Sequence, residues 1–259
     1  MNSARIWNAM REERPYGFPI YGLVGADGDP EPEGYRNADR IQSLTEIADD
    51  ARILDIGCGC GRVAVPFAER LGPKASYLGI DIVPVLVGFC ARHITPVRPT
   101  FQFRLRAQPN PHYAQFMQDD PDARLLEHMP QEHYDLALGI SLFTHLDAPD
   151  AVAVLREVAA ATRPDGKFYA TFFVLDEVAR EHIQPTSRFQ FKHASPSYRA
   201  FVERPEDTSF AVAYTAEQLD AILRETGWAV ETHLPGAWSG RQGCRTYQDT
   251  LLLKKANPA

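Results

Sequence analysis

Residues 52–62 read Arg52-Ile53-Leu54-Asp55-Ile56-Gly57-Cys58-Gly59-Cys60-Gly61-Arg62. A short apolar run, too short for a helix, leads directly into a turn with a glycine at every second position. Because glycine has no Cβ atom, the backbone turns sharply there and a ligand fits directly against it. We therefore expect a strand, a ligand-binding turn and a helix in succession.

The residues that follow repeat this alternation of short apolar runs and helical segments. Strands are predicted at 52–56, 76–80, 100–105, 134–140 and 167–174, and helices at 63–71, 85–94 and 151–161. Residues 163–166, Arg-Pro-Asp-Gly, predict a turn before the fifth strand. A capped helix from Thr215 to Gly227 and strands at 229–232 and 250–254 complete the pattern. The prediction is an α/β fold with a doubly wound, seven-stranded and mostly parallel sheet.

Two segments depart from this rhythm. Residues 1–50 are rich in proline, glycine and charge, and predict an irregular N-terminal arm followed by a helix around 38–44. Residues 51–259 form the main domain, interrupted at 175–213 by an insertion with prolines at 185, 196 and 205. The insertion has too little apolar content to suggest a core of its own.

Composition excludes several classes of protein. The chain has 259 residues and a net charge of −7, without a cluster of lysine and arginine, so nucleic acid is not an expected partner. No apolar run approaches the roughly 20 residues that span a bilayer, and the N-terminus lacks the pattern of a signal peptide, which predicts a cytoplasmic protein without membrane contact. The four cysteines lack zinc-site spacing and are expected to be reduced and structural.

A second acidic residue supports nucleotide binding. Asp81 lies 20 residues beyond Gly61, at the end of the second predicted strand, where a carboxylate accepts hydrogen bonds from both hydroxyls of a ribose. An NAD-dependent oxidoreductase is one interpretation. However, the spacing is G-x-G-x-G rather than G-x-G-x-x-G, and Asp55 would repel a pyrophosphate. A carboxylate there suits a cofactor that carries an ammonium and a sulfonium group.

These features resemble the class I methyltransferases, whose signature is an acid, a G-x-G-x-G turn and an acid that closes the second strand. The resemblance covers roughly residues 50–255. Besides residues 54–62, it is specific at Gly79-Ile80-Asp81-Ile82-Val83-Pro84, Ser141-Leu142-Phe143-Thr144-His145-Leu146, Leu155-Arg156-Glu157-Val158 and Arg163-Pro164-Asp165-Gly166-Lys167. The segments 238–241 and 247–249 are similar to bacterial small-molecule methyltransferases, some of them associated with sugar or secondary-metabolite pathways.

The resemblance implies S-adenosyl-L-methionine as the cofactor and assigns residues to it. Asp55 and the turn, through Gly57, Cys58, Gly59, Gly61 and Arg62, would hold the methionine moiety. Asp81 would bind the ribose and Ile82 would pack against the adenine. The adenine amino group would meet Gln108 or a backbone carbonyl, and Ser141 completes the expected cofactor set.

The end of the fourth predicted strand supplies candidates for the reaction. Ser141, Thr144 and His145 are expected at the mouth of the ligand crevice, with Thr144 as a substrate contact. The unperturbed pKa of a histidine side chain is near neutral, so His145 suits a general base; alternatively, it caps or packs the following turn. Catechol-type enzymes that coordinate magnesium have an aspartate where this chain has Gly139-Ile140-Ser141, so no metal is expected. The aromatic motif of DNA amino-methyltransferases is also missing here, which favours an oxygen nucleophile on a small molecule.

A second group of candidates lies between the last two strands. Trp238, Arg241, Tyr247 and Asp249 would bind substrate, since aromatic rings stack on sugars or aromatic rings and an Arg/Asp set holds polar groups. Alternatively, Arg241 and Asp249 pair with each other and shape the turn. The insertion is interpreted either as a lid or as a solvated loop, and its cationic and aromatic residues are Arg188, Phe189, Phe191, Lys192, His193, Tyr198 and Arg199.

Three functions therefore remain open. The first is an S-adenosylmethionine-dependent methyltransferase that acts on a small molecule, with a hydroxyl of a sugar or secondary metabolite as the acceptor. The second is an NAD(P)-dependent oxidoreductase. The third is a non-catalytic cofactor-binding module. The pattern makes no prediction of oligomeric state.

Overall fold

The computed structural model describes residues 3–24, 28–107 and 111–256, without the side chains of Val24, Pro111 and His112. The helices are α1 (Ser3–Glu12), α2 (Pro30–Leu44), α3 (Ala64–Arg70), α4 (Pro84–His93), α5 (Ala148–Ala161), α6 (Glu177–His182) and α7 (Ala216–Glu225). The strands are β1 (Arg52–Ile56), β2 (Ser76–Asp81), β3 (Phe101–Leu105), β4 (Tyr134–Gly139), β5 (Thr162–Phe172), β6 (Val174–Leu175), β7 (His193–Ala194), β8 (Phe201–Val202), β9 (Val212–Thr215), β10 (Trp228–Leu234) and β11 (Asp249–Lys255).

Seven strands form the main sheet, in the order β10-β11-β5-β4-β1-β2-β3. This confirms the predicted doubly wound α/β class. The chain divides into two compact units, residues 1–129 with 134–136, and residues 130–133 with 137–259.

The first unit contains the parallel strands that carry the glycine turn. β1 pairs with β2 and β2 with β3, so that Leu54 lies opposite Leu78 and Asp81 opposite Leu105. Buried apolar residues cover both faces of these strands, as expected of a parallel sheet, and the largest are Phe67, Tyr77, Phe89, Phe101 and Phe103.

The N-terminal residues correct the prediction of an irregular arm, because two helices lie there. α1 buries Ile6, Trp7 and Met10, which occupy one face at helical spacing. α2 begins at Pro30 after Asp29, whose side chain caps the helix by accepting a hydrogen bond from the Glu31 N–H at 3.2 Å. Prolines and charges suggested a loop, whereas Pro30 starts a helix and the charges occupy its outer face.

The second unit contains the antiparallel part of the sheet. β11 pairs antiparallel with both β5 and β10. The predicted capping box of α7 is present, with Thr215 and Gln218 bonded reciprocally, and Gly227 follows the helix with a positive φ of 80°. Trp228 is fully buried, and its indole Nε1 donates to the Leu155 carbonyl of α5 at 3.0 Å.

The turn predicted at 163–166 is wrong. β5 begins at Thr162 immediately after α5 and runs without a break to Phe172. Residues 163–166 are thus the first part of β5, and pairing with β11 begins at Lys167. Pro164 explains this geometry, because it restricts φ and biases Arg163 towards extended backbone.

The insertion also differs from the prediction, because it contributes to an apolar cluster. A small sheet forms there in the order β6-β9-β8-β7. Around it lies what we call the insertion cluster, whose buried members are Phe173, Leu175, Ala179, Phe189, Phe191, Ala211, Ala213 and Trp238. The cluster could not be predicted from the composition of residues 175–213 alone, because two of its aromatic residues, Phe173 and Trp238, lie outside that segment.

In the part of the chain that the structure describes, no helix combines the length and apolar character needed to cross a membrane.

The buried Trp228 gives a test of the packing of the second unit. Trp228→Phe should lower the free energy of unfolding by about 2 kcal/mol, because it removes a buried hydrogen bond and leaves a cavity. Val230→Ala, on the same strand and 44% exposed, is the control and should change stability by less than about 0.5 kcal/mol. Urea unfolding followed by circular dichroism measures both variants. Equal losses of unfolding free energy in the two variants would contradict the role of Trp228 in the packing of the second unit.

Candidate functional site

The glycine turn of the first unit folds back onto the end of β2. Gly57, Gly59 and Gly61 all have positive φ, at 77°, 55° and 77°, which explains why glycine recurs at every second position. The N–H groups of Gly57 and Cys58 donate to the Ile80 carbonyl at 2.7 and 3.1 Å. The predicted ligand-binding turn is therefore held next to the last residue of β2.

Asp81 ends β2 and is bonded to the same turn. Its carboxylate accepts from the Gly59 N–H at 2.8 Å and from the Val83 N–H at 3.0 Å. Burial raises the pKa of Asp81, and the N–H donors of Val83, Gly59 and Ile82 oppose that rise. Each carboxylate oxygen offers about two lone-pair sites, so the group keeps accepting capacity for the two hydroxyls of a ribose.

Asp55 is the second acid of the motif and is more deeply buried, at 3% exposure. The Tyr77 hydroxyl donates to its Oδ2 atom. Burial raises the pKa of Asp55 to about 7, with a further contribution from Asp81, whereas the hydrogen bond from Tyr77 and the charge of Arg62 lower it. Asp55 therefore changes its charge near neutral pH.

The other residues predicted to bind cofactor have varied surroundings. Cys58 is buried behind the turn, and Ile82 is partly exposed beside Asp81. The Arg62 guanidinium pairs with Glu33 of α2 at 3.0 Å, so its charge is already engaged within the protein. Gln108 lies outside the described residues.

Tyr113 is a neighbour of Asp81 that the sequence patterns did not identify. It belongs to a short 3₁₀ segment, Pro111–Phe116, in the same unit. Burial and the charge of Asp81 raise the pKa of its phenol to about 12. No motif marks this tyrosine, because its position follows from the path of the chain after β3.

In the second unit, Ser141 lies at the end of β4 with a positive φ of 57°. Its N–H donates to Thr171 Oγ1 at 2.7 Å, and its hydroxyl donates to Gln248 Oε1 at 3.0 Å. Thr171 Oγ1 also donates to Gln248 Oε1, at 2.7 Å. Thr144, a predicted substrate contact, is 1% exposed and donates to the Ser141 carbonyl at 3.1 Å. Thr144 is therefore buried behind Ser141 and is not exposed to a substrate in this structure.

His145 is partly buried, and its Nδ1 atom lies 2.9 Å from the Ser209 carbonyl oxygen. A carbonyl only accepts, so Nδ1 carries the proton of this hydrogen bond. In the neutral ring the lone pair is then on Nε2.

The predicted substrate group between the last strands separates into buried and exposed members. Asp249 is 2% exposed and accepts from the Val174 and Gly236 N–H groups and from Trp238 Nε1, with His233 at 3.2 Å. Trp238 is packed in the insertion cluster. The predicted pairing of Arg241 with Asp249 is wrong, because Arg241 pairs with Asp176 at 2.6 Å, a contact 65 residues away in sequence.

Tyr247 is the exposed member of that group. Its side chain is 46% exposed, and its ring meets the Phe173 ring edge to face at 6.3 Å. Of the residues proposed for the lid, Phe189 and Phe191 are buried in the insertion cluster, whereas Tyr198 is 81% exposed.

Residues 31–233 match the family model described as a methyltransferase domain. The chain belongs to the methyltransferase domain family. This confirms the predicted family and, with it, S-adenosylmethionine as the class of cofactor. The two acids and the glycine turn fit that group, since their negative charge complements an ammonium and a sulfonium.

A curated relative is the nocamycin O-methyltransferase of Saccharothrix syringae, 29% identical over 138 residues, or 52% of this chain and 42% of the relative. The match thus spans less than half of that protein. The solved 1,6-didemethyltoxoflavin-N1-methyltransferase of Burkholderia thailandensis, with bound 1,6-didemethyltoxoflavin and S-adenosylhomocysteine, has a TM-score of 0.55 at 16% identity over 88% of this chain and 80% of its own. The PH0226 protein of Pyrococcus horikoshii OT3 has a TM-score of 0.59 at 16% identity over 92% and 96% of the two chains. Both structures support the fold.

The buried Asp55 predicts an unusual pH dependence of stability. Its pKa is higher in the folded than in the unfolded chain, so the native state binds the proton more tightly and the free energy of unfolding falls as pH rises from about 4 to about 7. In cofactor-free protein, Asp55→Asn should remove a decline on the order of 3 kcal/mol across this window.

Urea unfolding at a series of pH values measures the effect. Tyr77→Phe deletes the hydrogen bond that lowers the pKa of Asp55 and should therefore move the decline to higher pH. A constant stability difference between wild type and Asp55→Asn at all pH values would show that Asp55 does not titrate in this range.

Proposed function

We propose that this chain transfers the methyl group of S-adenosylmethionine to a hydroxyl group of a small molecule. The observation that carries the proposal is the Asp81 carboxylate, which holds the glycine turn through the Gly59 N–H and retains accepting capacity for a ribose. Family membership supports the methyl transfer, and the curated relative is named an O-methyltransferase.

Within the first unit, we assign residues to each part of the cofactor. Asp55 and the turn from Gly57 to Gly61 bind the methionine moiety, Asp81 binds the ribose and Ile82 packs against the adenine. Tyr113 is an addition to this set, because its phenol lies close enough to Asp81 for the two charges to interact. An NAD(P)-dependent oxidoreductase fits less well, since two carboxylates beside the turn would repel a pyrophosphate.

The bound cofactor supplies a methyl group already activated by its sulfonium, so the protein chiefly orients the acceptor and excludes water. A hydroxyl acceptor must also lose its proton. We assign that proton to His145 Nε2, since Nδ1 is committed to the Ser209 carbonyl. A non-catalytic binding module would bind the cofactor through the same residues, but it would show no turnover that depends on His145.

The ribose assignment is tested by S-adenosylhomocysteine binding. Asp81→Asn removes the negative charge that is expected to accept hydrogen bonds from the two ribose hydroxyls. The substitution should weaken the affinity for S-adenosylhomocysteine by about 10- to 100-fold. Asp135→Asn is the control, because Asp135 is an acid of the same unit that forms an ion pair with Arg52. This variant should bind S-adenosylhomocysteine with normal affinity. Isothermal titration calorimetry measures both, and normal affinity in Asp81→Asn would overturn the assignment.

The base assignment is tested by turnover with a panel of phenolic and glycoside acceptors. His145→Ala should lower kcat by about 100-fold and remove the acidic fall of the pH–rate profile, because the proton acceptor is lost. His182→Ala is a matched control, since His182 also bonds a backbone carbonyl through Nδ1, at 2.8 Å to Val178, and should leave kcat unchanged. Unchanged turnover in His145→Ala would dismiss His145 as the base.

A further inference from the structure

Gln248 is held by a hydrogen-bond network that determines which way its amide faces. Thr171 Oγ1 accepts the Ser141 N–H and donates its own proton to Gln248 Oε1, which also receives the Ser141 hydroxyl proton. With two donors on the oxygen, the amide nitrogen points away from both hydroxyls. Among the described residues nothing accepts a hydrogen bond from Nε2, which thus presents two N–H groups to a ligand.

The network rests on a strained residue. Ser141 has a φ of 57°, a left-handed conformation that strains the backbone of a non-glycine residue. That conformation aims both its N–H and its hydroxyl at the Thr171–Gln248 pair. Strain that serves to hold polar groups in place is characteristic of ligand sites.

Tyr247 and Arg188 extend the same surface. The Arg188 side chain is exposed and lies near the Tyr247 phenol. Burial of part of the ring raises the pKa of Tyr247, and the positive charge of Arg188 opposes the rise. An exposed aromatic side chain and a guanidinium therefore lie together.

These groups meet along one edge of the second unit. Gln248 contacts Thr171 and Tyr247 contacts Phe173. Thr171 and Phe173 are two residues apart in sequence, and Tyr247 and Gln248 are adjacent. The four side chains therefore lie close to one another in the second unit.

The charge around these groups favours a negative ligand. The adjacent acid, Asp249, is buried and engaged by the donors of Val174, Gly236 and Trp238. What faces outward is the Gln248 amide, the Arg188 guanidinium and the Tyr247 ring. Amide and guanidinium N–H groups bind oxyanions, and an aromatic ring stacks on a planar partner.

The geometry points to a subsite for the methyl acceptor in which Gln248 and Arg188 bind an oxyanion of a planar ring that packs against Tyr247. The inference rests on the proposed function and narrows it, because it selects phenolic or enolic acids over neutral sugars as acceptors. Gln248 acts here as a substrate-binding residue.

The test uses 4-hydroxybenzoate as the anionic planar probe and 4-hydroxybenzyl alcohol as its neutral counterpart. NMR titration of the full chain without cofactor should show the anion binding about tenfold more tightly than the alcohol. Gln248→Glu, which replaces both donors with a charge of the wrong sign, should remove this preference. Arg188→Gln should weaken it by several-fold, and it provides a second variant at an exposed position if Gln248→Glu does not fold.

Gln242→Glu is the matched control. It makes the same substitution in the same turn, at an exposed glutamine that bonds the Gly240 carbonyl, and it should leave the preference intact. Equal binding of the two probes by wild type, or a preference that survives both Gln248→Glu and Arg188→Gln, would overturn the subsite. S-adenosylhomocysteine titrated separately distinguishes the two proposals: normal binding without the probe preference rejects the subsite alone, whereas no binding rejects the proposed function.

Discussion

Asp81 accepts hydrogen bonds from Gly59 and Val83, and through them one carboxylate connects the glycine turn to the end of β2. The three glycines of the turn have left-handed backbone, so the turn is held by backbone hydrogen bonds and by the buried Cys58 and Cys60. The Ile80 carbonyl adds two more bonds to the same loop. Removing the Asp81 charge would therefore weaken the hydrogen bonds that hold the loop. In the proposed function the same carboxylate binds the ribose, so one residue would serve both the structure and the recognition of the cofactor.

Local patterns predicted the first unit well. The apolar run before Gly57 and the alternating glycines act over a few residues, and Asp81 ends a strand that a second short apolar run predicts. The structure places them together as expected. The prediction of a capping box at Thr215 and Gln218 is confirmed for the same reason, since the two residues are three positions apart. The strand at 163–166, α1 and the first part of α2 were missed because composition there favours loops, while Pro164 and Pro30 in fact support regular backbone. The helix predicted around 38–44 is the second half of α2.

The polar residues of the second unit could not be predicted in this way, since their partners are distant in sequence. Asp249 is satisfied by the Val174 N–H, 75 residues away, and Arg241 by Asp176. Gln248 depends on Ser141, which is 107 residues earlier. Only tertiary structure decides that Asp249 and Trp238 are buried, whereas Tyr247 is 46% exposed. The roles of individual site residues stay predictions.

The account depends on a turn that accepts a positively charged sulfur nucleoside and rejects a diphosphate. The most direct measurement is a crystal structure of the chain grown with equal concentrations of S-adenosylmethionine and NAD⁺. The account predicts electron density for S-adenosylmethionine along residues 57–61, with its ribose hydroxyls within hydrogen-bond distance of Asp81. Density for NAD⁺ in that place, without the sulfur nucleoside, would contradict it.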